Sequence, residues 1–110
     1  MQNWDLKAIE AEPHQPQILA SADDARTIVL LLPAGEELQE HEVHEHAWLH
    51  VHDGTVEVQA DGAARQIGAG GLVHWAPQER HEVRAVQDAL LLLMLAPWPG
   101  PGHPNLHPGS

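Results

Sequence analysis

The sequence contains no cysteine and only five basic residues, Lys7, Arg26, Arg65, Arg80 and Arg84, among its 110 positions. Without thiols there are neither disulfides nor thiolate chemistry, which fits a reducing compartment. Sixteen carboxylates against those five cations give a formal net charge of −11. Binding to phosphate backbones needs clustered cations, so nucleic acid and anionic membrane surfaces are excluded as partners. Hydroxyls are equally sparse: Ser21, Ser110, Thr27 and Thr55 are all there are. There is no Gly-x-Ser-x-Gly elbow, no phosphate-binding glycine loop and no dinucleotide fingerprint, so covalent catalysis and nucleotide use are not expected. No basic, apolar leader opens the chain, and the apolar run over residues 89–96 is too short to span a bilayer. A cytoplasmic protein with no membrane partner is expected.

Helical periodicity is also nearly missing. Residues 4–12 offer one or two turns before Pro13, and the rest reads as short strands broken by turn residues. A first strand is expected at residues 17–20. The continuous apolar run at 27–32, stopped by Pro33-Ala34-Gly35, suits a strand buried on both faces. Asp53-Gly54 between alternating segments predicts a hairpin, because both turn residues accept positive φ. Asp61-Gly62 repeats that signal. Further strands are expected at 72–75, 81–86 and 90–95. Many short strands at close intervals indicate an all-β sandwich or barrel over residues 27–96, preceded by a lead-in at 1–26. The tail over residues 97–110 is rich in Pro and Gly, so it is expected to be extended, with Trp98 pinning its start. His103 and His107 are then bystanders.

What the chain has in excess is histidine, ten in all. At the ordinary imidazole pKa of about 6.5, mild acidification would offset much of the negative charge. Their placement is more informative than their number. Gly35 is followed by five residues and His41, and Gly54 lies thirteen positions beyond His41. A second glycine-framed segment runs from Gly70 to His81.

These two segments resemble the motifs of the cupin family of small double-stranded β-helix barrels. The first family motif is Gly, five residues, His-x-His, three or four residues, Glu, six residues, Gly. Here His41 takes the first histidine position, Val43 the second and Ala47 the glutamate position, with Gly54 closing the motif. The second motif is Gly, five residues, Pro-x-Gly, two residues, His. Here Ala76 stands at the proline position, Gln78 at the glycine position and His81 at the histidine. The resemblance implies an all-β, jelly-roll-like barrel and, as is common in the family, a homodimer. It also implies a divalent metal, Fe, Mn, Zn or Ni, held inside the barrel by His41 and His81.

Two replaced ligand positions leave a third donor to be found locally. His46 is the preferred one and His44 the next, if the chain bulges before the strand. The parity of a strand beginning near Ala47 sends Leu49 and Val51 inward and Trp48, His50 and His52 outward. His74 is undecided between faces. Glu40, Glu42 and Glu45 are read as solvated loop acids, and Glu79, Arg80 and Glu82 as a surface charge cluster. Trp48 and Trp75 read as core or interface aromatics. Three functions follow: a cupin binding a divalent metal or a small molecule in its barrel, with catalysis left open; a metal-free ligand-binding or regulatory cupin; and a histidine-rich metal-handling protein.

Overall fold

A computed structural model describes residues 1–22, 24–41, 43–60 and 62–100, with the backbone alone described for residues 39–41. The chain forms β1 (Gln17–Ala22), β2 (Ala25–Leu32), β3 (Glu37–His41), β4 (His46–Asp53), β5 (Thr55–Ala60), β6 (Ala63–Gly68), β7 (Leu72–Trp75), β8 (His81–Ala85) and β9 (Ala89–Ala96). They make a five-stranded sheet in the order β1-β2-β9-β4-β7 and a four-stranded sheet in the order β3-β8-β5-β6. All pairings between them are antiparallel. After β2 the chain repeatedly crosses between the sheets, which is how a jelly-roll-like barrel closes.

The crossing changes the meaning of one sequence signal. Asp53-Gly54 does not make a hairpin, because β4 and β5 belong to different sheets. It makes a corner. Gly54 has φ +85°, and a Cβ there would run into the carbonyl oxygen of Asp88, which lies at the corresponding corner between β8 and β9. Positive φ and close approach both require glycine, but for packing two corners rather than for reversing one strand. Gly62 does lie in a hairpin, with Ala60 paired to Ala63, while Asp61 falls outside the described residues.

One other expectation needs adjusting. Residues 4–12 form a turn, with the Ala8 N–H donating to the Asp5 carbonyl at 3.0 Å, and not a helix. A segment this short before a proline gains too little from packing to overcome helix nucleation. The first strand reaches Ala22, and β2 begins at Ala25, so the sheet draws on residues from the stretch read as a lead-in. Before β1, the N–H of His14 donates to the Leu31 carbonyl at 2.7 Å, tying the N-terminal segment to β2.

The core lies between the two sheets. Ala47, Leu49 and Val51 from β4 lie beside Ala89, Leu91, Leu93 and Leu95 from the neighbouring β9, and Val56, Val58, Val83 and Ala85 face them from the other sheet. On β2, Val29, Leu30 and Leu32 are all buried, as the continuous apolar run predicts. The period-2 alternation of β4 is nearly ideal: its odd-numbered core residues are buried, while His46, Trp48, His50 and His52 are half-buried on the other face.

Candidate functional site

His41 and His81 come from β3 and β8, and the register of that pair sets them directly opposite one another. The His41 side chain lies outside the described residues. His81 is 4% exposed and projects among the core residues. Its ring lies flat against Trp75, with centroids 3.9 Å apart and planes inclined by only 8°. The His81 Nδ1–H donates to the Glu79 carbonyl oxygen at 2.9 Å. That bond puts the neutral ring's proton on Nδ1 and makes Nε2 its acceptor. The Glu79 carboxylate is turned elsewhere: its Oε1 accepts the Ala76 N–H at 3.0 Å and caps the loop between β7 and β8.

In that loop Gln78 has φ +65°, the left-handed conformation that explains why a glycine occupies this position in the motif. Its N–H donates to the Val43 carbonyl at 2.7 Å, so the backbone joins the two motif segments.

His46 lies on the outward face of β4. Its Nδ1 is 2.9 Å from Nε2 of His74, and the two rings stack at 5.1 Å beside Trp48. The structure thus brings His46 together with His74, not with His81. His44 lies in the connection before β4, with its Nδ1 buried. His50 donates from Nδ1 to the Gly71 carbonyl at 3.1 Å. His103 and His107 lie outside the described residues, as do Glu42 and the side chain of Glu40.

Glu45 corrects the reading of the loop acids as solvated. It is 1% exposed, and its Oε2 accepts the Gly100 N–H at 2.6 Å. The signal was present: two residues before Ala47, strand parity already sends position 45 inward. The carboxylate secures the end of the described chain, where Trp98 packs on the core and Arg26 stacks over its ring at 4.1 Å. The expectation that Trp98 pins the tail is met.

A cavity of about 190 Å³ opens between the β5–β6 hairpin and β7. Val58, Ile67, Val73 and Trp75 give it an apolar wall, and Arg65, His74 and Glu79 supply its polar groups. Arg65 pairs with Val58, whose side chain belongs to the core, so it projects from the inward face of the sheet at its open edge. Sequence reasoning passed over Arg65, because nothing on β6 alone says which face it occupies. A second cavity, of about 430 Å³, lies at the tip of this hairpin and reaches Arg80 and His81. A third, about 720 Å³, is a groove outside the barrel, between Leu6 and Ile9 of the N-terminal segment and Leu31 and Leu90 of the sheet.

The family model for the cupin domain matches residues 27–96, about two thirds of the chain. The chain belongs to the cupin family. Among solved structures, this cupin is similar to an RmlC-like cupin from Desulfovibrio desulfuricans, at 22% identity and a TM-score of 0.78 over 88% of this chain and 97% of that one. It is also similar to KdgF from Halomonas sp., at 23% identity and a TM-score of 0.71 over 81% and 85% of the two chains. The conserved SPY1581 protein of unknown function from Streptococcus pyogenes matches at 21% identity and a TM-score of 0.74 over 87% of each chain. At these identities the likeness is one of fold. No curated protein matches the sequence.

The metal centre implied by the family, three imidazoles and a carboxylate, can be tested against the donors present. Val43 packs on the core cluster, and Ala47, 1% exposed, is part of it. Neither supplies a lone pair. Trp75 covers one face of His81. Among the described residues, no group of three or more His, Asp or Glu side chains stands where it would hold an ion. The described donor set does not fit the family's usual centre.

Proposed function

We propose that this cupin binds a small molecule in the cavity between the β5–β6 hairpin and β7, without a resident metal in the barrel. The observation that carries the reading is the cavity itself, with a continuous apolar wall ending at a single guanidinium, Arg65. Its volume of about 190 Å³ falls below the roughly 300–1,000 Å³ of drug-sized sites, so the ligand is small. An apolar body with one anionic group, a short or aromatic carboxylate, matches such a wall and a terminal arginine. The buried, hydrogen-bonded His81 is a structural partner of Trp75 on this reading, and Glu79 is held by the loop. The role that fits this cavity is binding or sensing.

One observation favours a second reading: the β3–β8 register sets His41 opposite His81, as a two-imidazole metal site requires. Elemental analysis separates the two. Untagged protein is dialysed against a chelator and its bound metal counted. Less than a tenth of an equivalent, with thermal stabilisation by small aromatic or branched carboxylates that Arg65→Ala abolishes, supports the metal-free pocket. One retained equivalent, lost in both His41→Ala and His81→Ala, supports the metal site instead. Sedimentation velocity on the same sample reads the homodimer that the resemblance implies: a species near twice the 12.0 kDa chain mass is expected, and a lone monomer contradicts it.

A further inference from the structure

We infer that His46 and His74 form a divalent-cation site on the outer face of β4 and β7, suited to Cu(II) or Ni(II), with His74 shared with the rim of the cavity beside β7. The site follows from the register of two neighbouring strands. β4 and β7 pair Trp48 with His74 and Ala47 with Trp75. His46 and His74 are therefore diagonal neighbours on the outward face, a relation within reach of long side chains. The result is that His46 Nδ1 and His74 Nε2 lie 2.9 Å apart.

That distance selects a coordination geometry. An ion about 2.0–2.1 Å from each nitrogen subtends an angle of about 90° between them. This is the angle between adjacent ligands in octahedral or tetragonal complexes, the preference of Ni(II) and Cu(II). A tetrahedral ion such as Zn(II) wants about 109° and nitrogens about 3.3 Å apart, so the strands would have to yield. The rings are already held nearly parallel, inclined by 20°, beside Trp48. Both donors sit at the β7 edge of the sheet, where His74 is exposed, so water completes the shell. In the metal-free protein a proton occupies the space between the two nitrogens. The ion replaces that hydrogen bond, sitting beside the line between the two nitrogens, with both rings staying neutral: His46 then carries its proton on Nε2 and His74 on Nδ1. The chain's net charge of −11 draws cations toward it.

Calorimetric titration of the chelator-treated, untagged full chain with CuCl2 and with NiCl2 tests this. The expected result is one site per chain, with Cu(II) bound more tightly than Ni(II) and Ni(II) more tightly than Zn(II). His46→Ala and His74→Ala should each weaken that site at least tenfold, whereas His50→Ala with His52→Ala should change it less than twofold. Cu(II) should also quench tryptophan fluorescence, and Trp48→Phe should remove most of the quenching. Both histidines are on the surface, so unchanged thermal midpoints certify the variants as folded. Binding that survives both single substitutions, binding lost in His81→Ala instead, or no binding to the folded wild-type chain overturns the assignment.

Discussion

Two tryptophans of this barrel stack on histidines, one on each side of the same sheet. Inside, Trp75 lies 3.9 Å from the His81 ring, and the pair is sealed between the sheets. Outside, Trp48 lies 5.8 Å from His46 and 5.0 Å from His74, and the cluster remains in reach of solvent. The residue types are the same, but the environment gives them opposite uses. Burial turns the first pair into packing, with the His81 Nδ1–H committed to a carbonyl. Exposure leaves the second pair with two ring nitrogens facing each other at 2.9 Å. What decides the use of an imidazole here is the side of the strand it occupies, not its distance from a motif.

The contrast can be broken most forcefully at its buried member. Trp75→Ala deletes a fully buried aromatic and its stack, and should cost about 3–5 kcal/mol in denaturant unfolding. Trp48→Ala, from a half-buried position, should cost about 1 kcal/mol or less. Equal losses would mean that the two stacks do the same job. A smaller effect is expected at the inward carboxylate. Glu45→Ala removes the acceptor of the Gly100 N–H and should cost about 1.5–3 kcal/mol, while exposing residues 97–100 to limited proteolysis. No gain in cleavage there would contradict the role given to Glu45 in holding that segment. The smallest effect has the opposite sign. Gln78→Gly relieves a left-handed residue, and after the added chain entropy of glycine a gain of about 0.5–1 kcal/mol remains. A loss would mean that the Gln78 side chain contributes more than its backbone strain costs.

The barrel was legible because its signals are local and repeated. Alternation in residues 47–51 and the continuous runs of β2 and β9 fix which side chains meet, and two glycine-framed segments point to a cupin. The continuous apolar run before Pro33-Ala34-Gly35 needed no tertiary information to be read as a strand. Asp53-Gly54 shows the limit: the dipeptide demands positive φ, but whether it reverses a strand or turns a corner depends on which sheet receives the next strand. The site was less legible for the same reason. Motif spacing carries His41 and His81 to opposed positions, but it is silent on the indole that fills the space beside His81. Parity placed His50 and His52 outward and would have placed His46 there too, had the strand been started one residue earlier. It would also have brought Glu45 inward. Arg65 went unnoticed because an arginine on a short edge strand carries no spacing signal of its own. Only its partner Val58, on the core side of β5, reveals the direction in which it projects.

On the proposed function the barrel interior is a pocket for a small organic anion and not a metal centre. Native mass spectrometry of the untagged, chelator-dialysed chain reads this directly, with a panel of small carboxylates added. It should show one carboxylate adduct per chain, absent in Arg65→Ala, and no metal adduct. A single metal ion that persists through dialysis and disappears in His81→Ala, with no organic adduct, would contradict it.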